Sequence, residues 1–228
     1  MKNFKKLICT TDDGSSTIFL PQFNEYYHSK YGAVSESEHV FINNGFSFWK
    51  KKNPNKKSCN IFEVGFGTGL NAFLTYKVSK FKSNIKLTYS SVEAHPLKFS
   101  EIKKLNYSKN LNESVDTFNF MHHSDWDFPV QLSDNFTLIK NYSTIQDFNI
   151  KIKTDIIYFD PFCYRVQPEM WSKKIINPIV NSMNKNSVFV TFSSMNILFD
   201  LLKKLKLDVQ KIPGPNKKKK MIRAFKTY

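Results

Sequence analysis

Glu63-Val64-Gly65-Phe66-Gly67-Thr68-Gly69-Leu70-Asn71 is the stretch that decides the fold of this 228-residue chain. An apolar run precedes it and a run of helical character follows it from Ala72, so the order is strand, glycine turn, helix. Glycines let the backbone turn sharply and approach a ligand closely, because they carry no Cβ. The helix that follows offers its N-terminal N–H groups to that ligand. The stretch therefore predicts a ligand site at the end of a strand in an α/β fold.

The spacing of the glycines and two acidic residues narrow the choice of ligand. Gly65, Gly67 and Gly69 follow a Gly-x-Gly-x-Gly pattern, which is tighter than the dinucleotide fingerprint. With the preceding Glu63, the pattern resembles the first motif of Rossmann-type methyltransferases, which hold S-adenosylmethionine. Glu93 closes the next apolar strand, where a carboxylate can accept both ribose hydroxyls of an adenosine cofactor. The alternative is a glycine turn that binds no ligand.

The composition indicates a folded and strongly basic protein. The chain carries 34 Lys and Arg against 19 Asp and Glu, a formal net charge of +15, and 41% of its residues are hydrophobic. A basic surface favours an anionic partner, most simply nucleic acid. Arg165 and Arg223 are the only arginines, and an abundance of Lys, Asn, Ile and Phe is also what an AT-biased genome produces. The positions of the lysines are therefore more informative than their number.

The cysteines, histidines and apolar runs predict the compartment. No apolar run approaches the roughly 20 residues that span a bilayer, and the basic start is followed by too short an apolar stretch for a signal peptide. The three cysteines are odd in number and lack metal-ligand spacing, which fits a reducing compartment. One of them, Cys163, is a candidate reactive thiol, although a filler role is the simpler interpretation. We therefore expect a cytoplasmic protein with no membrane segment. We also expect no metal site, because the cysteines form no ligand set with His39, His95, His122 and His123.

A lysine-rich linker, Lys50–Lys57, divides the chain into two predicted parts. Residues 1–52 form an N-terminal extension of short strands and a helix, which the capping-box pattern Ser35-x-x-Glu38 is predicted to open. Residues 58–228 form the main domain, in which strands alternate with helices. Strands are predicted near 60–65, 87–93, 136–141, 155–160, 187–193, 207–212 and 220–226, and helices near 70–81, 97–105, 168–183 and 195–206.

This alternation predicts a doubly wound, seven-stranded and mostly parallel sheet. The last two strands are joined by the tight connection Pro213–Asn216 and should be antiparallel. A terminal hairpin on a parallel sheet is typical of class I methyltransferases. The segment 106–130 has no clean period and is predicted to be irregular helix and loop.

Asp160 is the candidate catalytic residue. Ligands of open α/β sheets bind at the carboxyl ends of the strands, and Asp160 ends a predicted strand at the same edge as the glycine turn. The sequence Asp160-Pro161-Phe162 resembles the Asp/Asn-Pro-Pro-aromatic motif of enzymes that methylate amino nitrogens. A carboxylate can accept an amine N–H, aim the lone pair and take the proton afterwards. Phe162 or Tyr164 can stack on a flipped base. The alternatives are a helix cap for Asp160 and core packing for the aromatics.

Two further groups are candidates for substrate contacts. His28 lies among hydroxyls and tyrosines before the main domain, where it is a candidate general base in what reads as a loop. The run Lys217–Lys220 lies between the last two predicted strands, at the active-site edge. Lys218 and Lys219 are predicted to hold substrate phosphates without reading sequence. The alternative for this run is a solvated stretch of lysines.

Most of the chain resembles the tRNA 5-methylaminomethyl-2-thiouridine methyltransferase family, which occurs alone and as the N-terminal half of a bifunctional wobble-uridine enzyme. The segments that carry the resemblance are Tyr27-His28-Ser29, Gly32-Ala33, Glu36-Ser37, Val40-Phe41, Glu63–Asn71, Glu93–Leu97, Asp160 with Pro168-Glu169-Met170-Trp171, and the tail from Phe192 to Met221. The resemblance implies S-adenosylmethionine as methyl donor and tRNA as substrate. The methyl group would go to the primary amine of a 5-aminomethyl group on the wobble uridine.

By resemblance, Glu93 binds the ribose, Asp160 faces the amine, and the rest of the cofactor is lined by Glu63, Gly65, Phe66, Gly67, Gly69 and Asn71. Thr144 stands where the family has an acid beside the adenine, and Thr can still hydrogen-bond that ring. Pro161 and Tyr164-Arg165 replace a small residue and a proline, which is expected to alter the amine pocket. No second glycine fingerprint is present, so we expect no FAD and an aminomethyl substrate that is made elsewhere.

The sequence favours a monomeric enzyme and leaves three other hypotheses open. The first is a methyltransferase of the same fold that acts on another amine, because a fold does not choose its substrate. The second is a degenerate, non-catalytic tRNA-binding protein. The third is an aminopropyl transferase, which would need more acids around a polyamine than the run 160–171 offers.

Overall fold

The computed structural model describes residues 4–81, 84–215 and 219–228. The elements are, in chain order, β1 (Leu7–Thr10), β2 (Ser16–Leu20), β3 (Glu25–Tyr26), α1 (Ala33–Ser37), a π-helical segment (Glu38–Ser47), α2 (Phe48–Lys52), β4 (Ser58–Val64), α3 (Leu70–Lys80), β5 (Lys86–Glu93), α4 (Phe99–Ile102), α5 (Tyr107–Leu111), α6 (Val115–His123), β6 (Pro129–Ser133), β7 (Phe136–Tyr142), β8 (Thr154–Phe159), α7 (Lys173–Ser182), β9 (Met183–Thr191), α8 (Asn196–Lys204), β10 (Asp208–Pro213) and β11 (Lys220–Lys226). Short 3₁₀ turns occur at Pro21–Phe23 and Pro168–Trp171.

The main sheet has the order β10-β11-β9-β8-β4-β5-β7-β6. Its five central strands are parallel, and β11 runs antiparallel to both of its neighbours. The predicted doubly wound α/β class and its terminal hairpin are therefore confirmed. The strand order reverses between β4 and β8, so the carboxyl ends of these two strands lie beside each other at the point where such sheets bind ligands. None of the helices in the described ranges is long and apolar enough to cross a membrane.

The sheet has eight strands, whereas the sequence predicts seven. The additional strand is β6, which pairs antiparallel with β7 at the edge of the sheet. The segment 106–130, predicted to be irregular helix and loop, contains the short helices α5 and α6 and also the start of β6, which the prediction did not include. An edge strand buries little of its surface, and β6 has no fully buried residue. It therefore lacks the apolar run that marks the central strands in the sequence.

Both faces of the sheet are covered by helices. All six residues of β8 are buried, and their side chains alternate between the two faces. Ile156 and Tyr158 belong to the core that includes α3 and the π-helical segment, while Ile157 and Phe159 belong to the core that includes α7. Gly45 of the π-helical segment lies so close to the sheet that a Cβ would be 2.9 Å from the Tyr158 ring. The N-terminal residues therefore contribute to the same hydrophobic core as the main sheet.

The start of α1 is capped by a distant turn. The prediction that a capping box opens the helix at Ser35 is wrong, because α1 begins at Ala33 and Ser35 lies inside it. Ser15 Oγ accepts the backbone N–H groups of Ala33 and Val34 at 3.1 and 3.2 Å, and Asp13 Oδ2 accepts that of Ser35 at 2.9 Å. The turn between β1 and β2 thus satisfies orphan donors of a helix about twenty residues later.

Replacing Asp13 by Ala should lower the free energy of unfolding by about 1 kcal/mol at pH 7, the usual effect of losing a helix cap. Burial alone would raise the pKa of Asp13, but hydrogen bonds from Ser15, Ser35 and Thr11 lower it from 3.8 to about 2. The stabilisation is therefore fully present above about pH 4 and is lost as the pH falls toward 2. Urea unfolding of wild type and variant at pH 7 and pH 3 measures both effects.

Asp12→Ala is the matched control, because the exposed Asp12 side chain caps nothing in α1. If the difference in the free energy of unfolding between wild type and Asp13→Ala is the same at pH 7 and pH 3, the Asp13 charge has no role in the cap.

Candidate active site

A cleft of about 1460 Å³ opens at the carboxyl edge of the parallel strands. The loops that follow β4, β5, β7 and β8 line one side of it, and the segment around β3 lines the other. The cleft thus lies where the strand order reverses. Three regions that the sequence singles out meet there, namely the glycine turn, Glu93 and Asp160.

Close backbone packing explains two of the glycines in the turn. Gly65 has a φ of +93°, and a Cβ there would lie 2.9 Å from the backbone oxygen of Asp160. Gly69 has a φ of +72°, and a Cβ there would lie 2.8 Å from Nε2 of His122. The Asp160 N–H also donates to the Val64 carbonyl at 3.2 Å. The turn is therefore held directly against the end of β8, as the sequence predicts for Asp160.

Glu93 is fixed at the end of β5 by two backbone donors. Its Oε2 accepts the N–H of Gly67 at 2.9 Å, and its Oε1 accepts the N–H of His95 at 2.7 Å. The carboxylate therefore joins the glycine turn to the loop after β5 and lines the cleft. This is the position that the sequence predicts for a ribose-binding acid.

Asn71 bridges two carboxyl groups. Its Nδ2 donates to Oε1 of Glu63 at 3.0 Å and to Oδ2 of Asp160 at 2.8 Å. Glu63 is only 1% exposed and does not line the cleft, whereas Asn71 and Asp160 do. Burial, aided by the negative charge of Asp160, raises the pKa of Glu63 from 4.5 to about 8. Glu63 is therefore protonated at neutral pH and holds the Asn71 side chain from the interior of the protein.

The buried His28 and the half-buried His122 both contact Thr68 of the glycine turn. His28 Nε2 lies 2.7 Å from Thr68 Oγ1, and His122 Nε2 lies 3.1 Å from the Thr68 carbonyl. Burial lowers the pKa of His28 to about 4, and burial together with the Lys140 charge lowers that of His122 to about 3. Both imidazoles are therefore neutral. His28, which the sequence offers as a candidate base, lines the cleft and holds the turn through Thr68.

Aromatic side chains form one end of the cleft. Trp126 and Tyr142 line it, and Trp126 packs edge-on against Phe66 of the glycine turn at 6.0 Å. Lys140 is buried behind them, where its Nζ lies 4.7 Å from the Trp126 ring centroid and donates to the His122 carbonyl at 2.8 Å. Sequence reasoning misses His122, Trp126 and Lys140, because nothing in their spacing shows that they meet.

Thr144 lines the same end of the cleft. Its hydroxyl donates to Oδ2 of Asp147 at 2.6 Å, and the N–H of Asp147 returns to the Thr144 hydroxyl at 3.2 Å. A carboxylate thus lies three residues after the position at which the resemblance implies an acid.

The loop after β8 forms the opposite end. Phe162 lines the cleft and packs edge-on against Tyr27 with ring centroids 5.0 Å apart. Gln167 accepts the Phe162 N–H at 3.0 Å, and Trp171 donates to the Phe162 carbonyl at 3.1 Å. Tyr164 is 46% exposed and does not belong to the lining.

Cys163 and the lysine run complete this edge of the protein. Burial and the neighbouring Glu25 raise the pKa of the Cys163 thiol, which makes it less reactive than an ordinary cysteine.

Lys219 is exposed beside the first residue of β11, close to the end of β9, so it lies at the same edge of the sheet as the cleft. Lys218, the other lysine predicted to hold phosphates, lies outside the described residues.

The cleft is acidic although the protein is basic. Among the described residues, three Lys and no Arg line it, namely Lys6, Lys30 and Lys98. Six of the 19 Asp and Glu residues do, namely Glu25, Glu36, Glu93, Glu101, Asp160 and Glu169. Such a lining favours ligands that carry positive charge.

The fold and the site define a class I methyltransferase dependent on S-adenosylmethionine. A family model described as "S-adenosyl-L-methionine-dependent methyltransferase" matches residues 100–227, and the chain belongs to that family. A solved structure of MNMC2 from Aquifex aeolicus superposes with a TM-score of 0.79 at 22% identity, covering 98% of this chain and 70% of that one. This likeness establishes the fold.

Two curated relatives bear the name tRNA 5-methylaminomethyl-2-thiouridine biosynthesis bifunctional protein MnmC. The protein from Leptospira interrogans is 28% identical over 219 residues, which cover 88% of this chain and 32% of the relative. The protein from Campylobacter jejuni is 28% identical over 223 residues, which cover 92% of this chain and 35% of the relative. The chain therefore spans about a third of the length of these relatives.

Gly65→Ala should disrupt the site, because its Cβ would meet the Asp160 backbone at a positive φ. Gly14→Ala is the matched control, since Gly14 has a φ of +81° and no atom within 4 Å of a Cβ. The control should lose only the roughly 1–2 kcal/mol of a left-handed conformation. Calorimetric titration with S-adenosylmethionine should show at least tenfold weaker binding for Gly65→Ala alone. Equal effects of the two substitutions would refute the packing argument.

Glu63→Gln should gain stability relative to wild type as the pH rises from 5 to 8. In the unfolded chain Glu63 ionises near 4.5, whereas the folded protein holds the proton until about pH 8. The folded state therefore binds the additional proton in this window, so this group makes wild-type stability fall as the pH rises. Glutamine removes the titration. Urea unfolding of both proteins at pH 5 and pH 8, with the exposed Glu169→Gln as control, provides the test, and a pH-independent difference would mean that folded Glu63 is ionised.

Proposed function

We propose that this protein transfers a methyl group from S-adenosylmethionine to the primary amine of a 5-aminomethyl group on the wobble (2-thio)uridine of tRNA. The observation that carries the proposal is the Asp160 carboxylate, which Asn71 holds at the acidic cleft of a basic protein. The names of the curated relatives support the choice of nucleoside.

The residues present fit the cofactor. A sulfonium is cationic, and the acids that line the cleft complement it. Glu93 would bind the ribose, Trp126 and Tyr142 offer aromatic faces for the adenine, and Thr144 lies beside them. Asn71 Oδ1 is buried and has no hydrogen-bond partner among the described residues, so it offers an acceptor for an amino group. When bound, S-adenosylmethionine supplies an electrophilic methyl group.

Glu63, Gly65, Phe66, Gly67 and Gly69 take different parts in this arrangement. Gly65 and Gly69 allow the turn to pack against Asp160 and His122, and Gly67 presents its N–H to Glu93. Phe66 extends the aromatic end of the cleft through Trp126. Protonated Glu63 acts indirectly, because it lies below the surface and fixes the Asn71 side chain.

Asp160 acts on the acceptor amine. An amine attacks only through a free lone pair, so it must be neutral and correctly aimed. A carboxylate at this position attracts the ammonium form, which loses one proton to solvent, and then accepts one N–H of the neutral amine. As the C–N bond forms and the methyl–sulfur bond breaks, the carboxylate takes the second proton, which the new C–N bond makes acidic. The Asn71 bridge sets the direction of the carboxylate, since Nδ2 occupies one side of Oδ2. The step needs neither a metal nor FAD.

The remaining lysines give a surface for tRNA. In the part of the chain that the structure describes, the cleft lining contains three lysines, and the other Lys and Arg side chains lie outside it. We propose that Lys218 and Lys219 contact phosphates at the edge of the cleft, that Phe162 stacks on the uracil ring, and that Tyr164 contacts a base outside the cleft. His28 would affect substrate binding indirectly, because it holds the glycine turn in place through Thr68. A monomer acting in the cytoplasm suffices for this reaction.

Asp160→Asn should lower the rate of methyl transfer roughly 10²–10⁴-fold, the usual range for a general base, and leave cofactor affinity within about twofold. The assay is mass spectrometry of nucleosides from tRNA that carries 5-aminomethyluridine, after incubation with protein and S-adenosylmethionine. Glu169→Gln is the control, because it removes an exposed acid from the lining without contact to Asn71.

The wild-type result separates the proposal from its rivals. A gain of one methyl group on the aminomethyl nucleoside supports the proposal. Cofactor binding without this gain would indicate another amine as substrate. Salt-sensitive tRNA binding without cofactor binding would indicate a non-catalytic tRNA-binding protein.

A further inference from the structure

Arg165 joins two segments that line the cleft, the residues around β3 and the loop after β8. It follows β8 and is one of only two arginines in the chain. Its NH1 donates to the Phe23 carbonyl at 2.7 Å, and its NH2 donates to the Asn24 carbonyl at 3.2 Å and to Glu25 Oε2 at 2.9 Å. Glu25 Oε2 also accepts from Cys163 Sγ at 2.8 Å. We call Arg165, Glu25 and Cys163 together the acceptor joint.

The chemistry of the acceptor joint suits positioning rather than global stability. The Arg165 side chain is 59% exposed, and an exposed ion pair contributes about 0–1 kcal/mol to folding. A guanidinium, however, presents its donors as a rigid planar fork, so its contacts fix geometry as well as distance. The raised pKa of Cys163 keeps the thiol protonated, so it continues to donate to Glu25 at neutral pH.

The acceptor joint lies directly next to the aromatic pair at this end of the cleft. Tyr27 follows β3 by one residue, and Phe162 precedes Cys163. Their rings meet edge-on, and both line the cleft. A shift of the segment 21–26 relative to the loop 160–167 would therefore move Tyr27 away from Phe162. A second ion pair, between Lys6 and Glu101 at 3.1 Å, ties the residue before β1 to α4 on another side of the cleft.

We infer that Arg165 is a positioning residue for the acceptor end of the cleft: through Glu25 and the backbone of Phe23 and Asn24, it locks the β3 segment to the loop after β8 and fixes the Tyr27–Phe162 pair. The identity of the acceptor rests on the proposed function, whereas the mechanical role of the joint does not. The joint thus sets how a planar acceptor is presented to Asp160, without contact between Arg165 and the reacting atoms.

The test compares Arg165→Gln with Lys80→Gln. Lys80 forms an exposed ion pair with Glu113 at 2.7 Å and does not line the cleft, so its loss controls for removal of one charge and one ion pair. Hydrogen–deuterium exchange of the protein without ligands reports on the two segments that the joint connects. The Tyr27 N–H donates to the Ile18 carbonyl at 2.9 Å and the Phe162 N–H donates to Gln167 at 3.0 Å, so each amide is held within its own segment. We expect roughly tenfold faster exchange of both amides in Arg165→Gln only, because each segment opens more often when the joint no longer holds it against the other.

Methyl transfer provides the second measurement. Arg165→Gln should lower kcat/KM for the aminomethyl tRNA roughly tenfold, since a displaced acceptor loses its aim, while the dissociation constant of S-adenosylmethionine stays within about twofold. Arg165→Lys should recover only part of this loss, because a lysine keeps the charge without the fork. Glu25→Gln should act in the same direction, and the double variant should be no worse than Arg165→Gln alone.

Each outcome decides the inference. If the Tyr27 and Phe162 amides exchange at the wild-type rate in Arg165→Gln, the joint does not hold the two segments together. If they exchange faster while kcat/KM is unchanged, the joint does not position the acceptor. Full recovery by Arg165→Lys would mean that charge alone matters and would overturn the role of the planar fork. If wild type transfers no methyl group to tRNA, the proposed function fails, and the exchange experiment alone then decides whether Arg165 fixes the cleft wall.

Discussion

The contact between Gly65 and the Asp160 backbone is the constraint on which the site depends. The two residues follow β4 and β8, and a Cβ on residue 65 would lie 2.9 Å from the Asp160 carbonyl oxygen. Only glycine, which has no Cβ, avoids this clash. Because the two strand ends are this close, the first turn of α3 can place Asn71 within reach of both Glu63 and Asp160. Glu93 then locks the other side of the turn through Gly67. Backbone contacts therefore shape this part of the cleft, and the ends of β5 and β8 determine the positions of the Glu93 and Asp160 carboxylates.

Electrostatics separates the interior of the cleft from the rest of the protein. The lining carries six acids and three lysines in a chain whose net charge is +15. Within the same region, burial beside Asp160 raises the pKa of Glu63, so the Asn71 bridge has a neutral carboxyl group at its buried end. Such a lining favours a ligand that carries positive charge, which is the charge of the sulfonium in the proposed reaction.

The N-terminal residues serve the cleft as much as the core. The segment around β3 forms one wall, and its position depends on contacts with loops that lie far away in sequence, such as that between Glu25 and Arg165. His28 reaches the glycine turn in the same way, at a separation of 40 residues. Asp13 and Ser15 cap α1 and so fix the start of the helix that continues into the π-helical segment, which packs on the sheet.

The sequence by itself determined the fold class, the seven strands with apolar runs, the glycine turn, and the placement of Glu93 and Asp160 at one edge, because periodicity and strand ends are local properties. It did not show the edge strand β6, the burial of Glu63, the two histidines around Thr68 or the acceptor joint. These depend on which distant segments meet, for example Cys163 and Glu25 at a separation of 138 residues. Local spacing cannot encode such contacts, so only the tertiary structure decided which segments form the walls of the cleft and that burial neutralises Glu63.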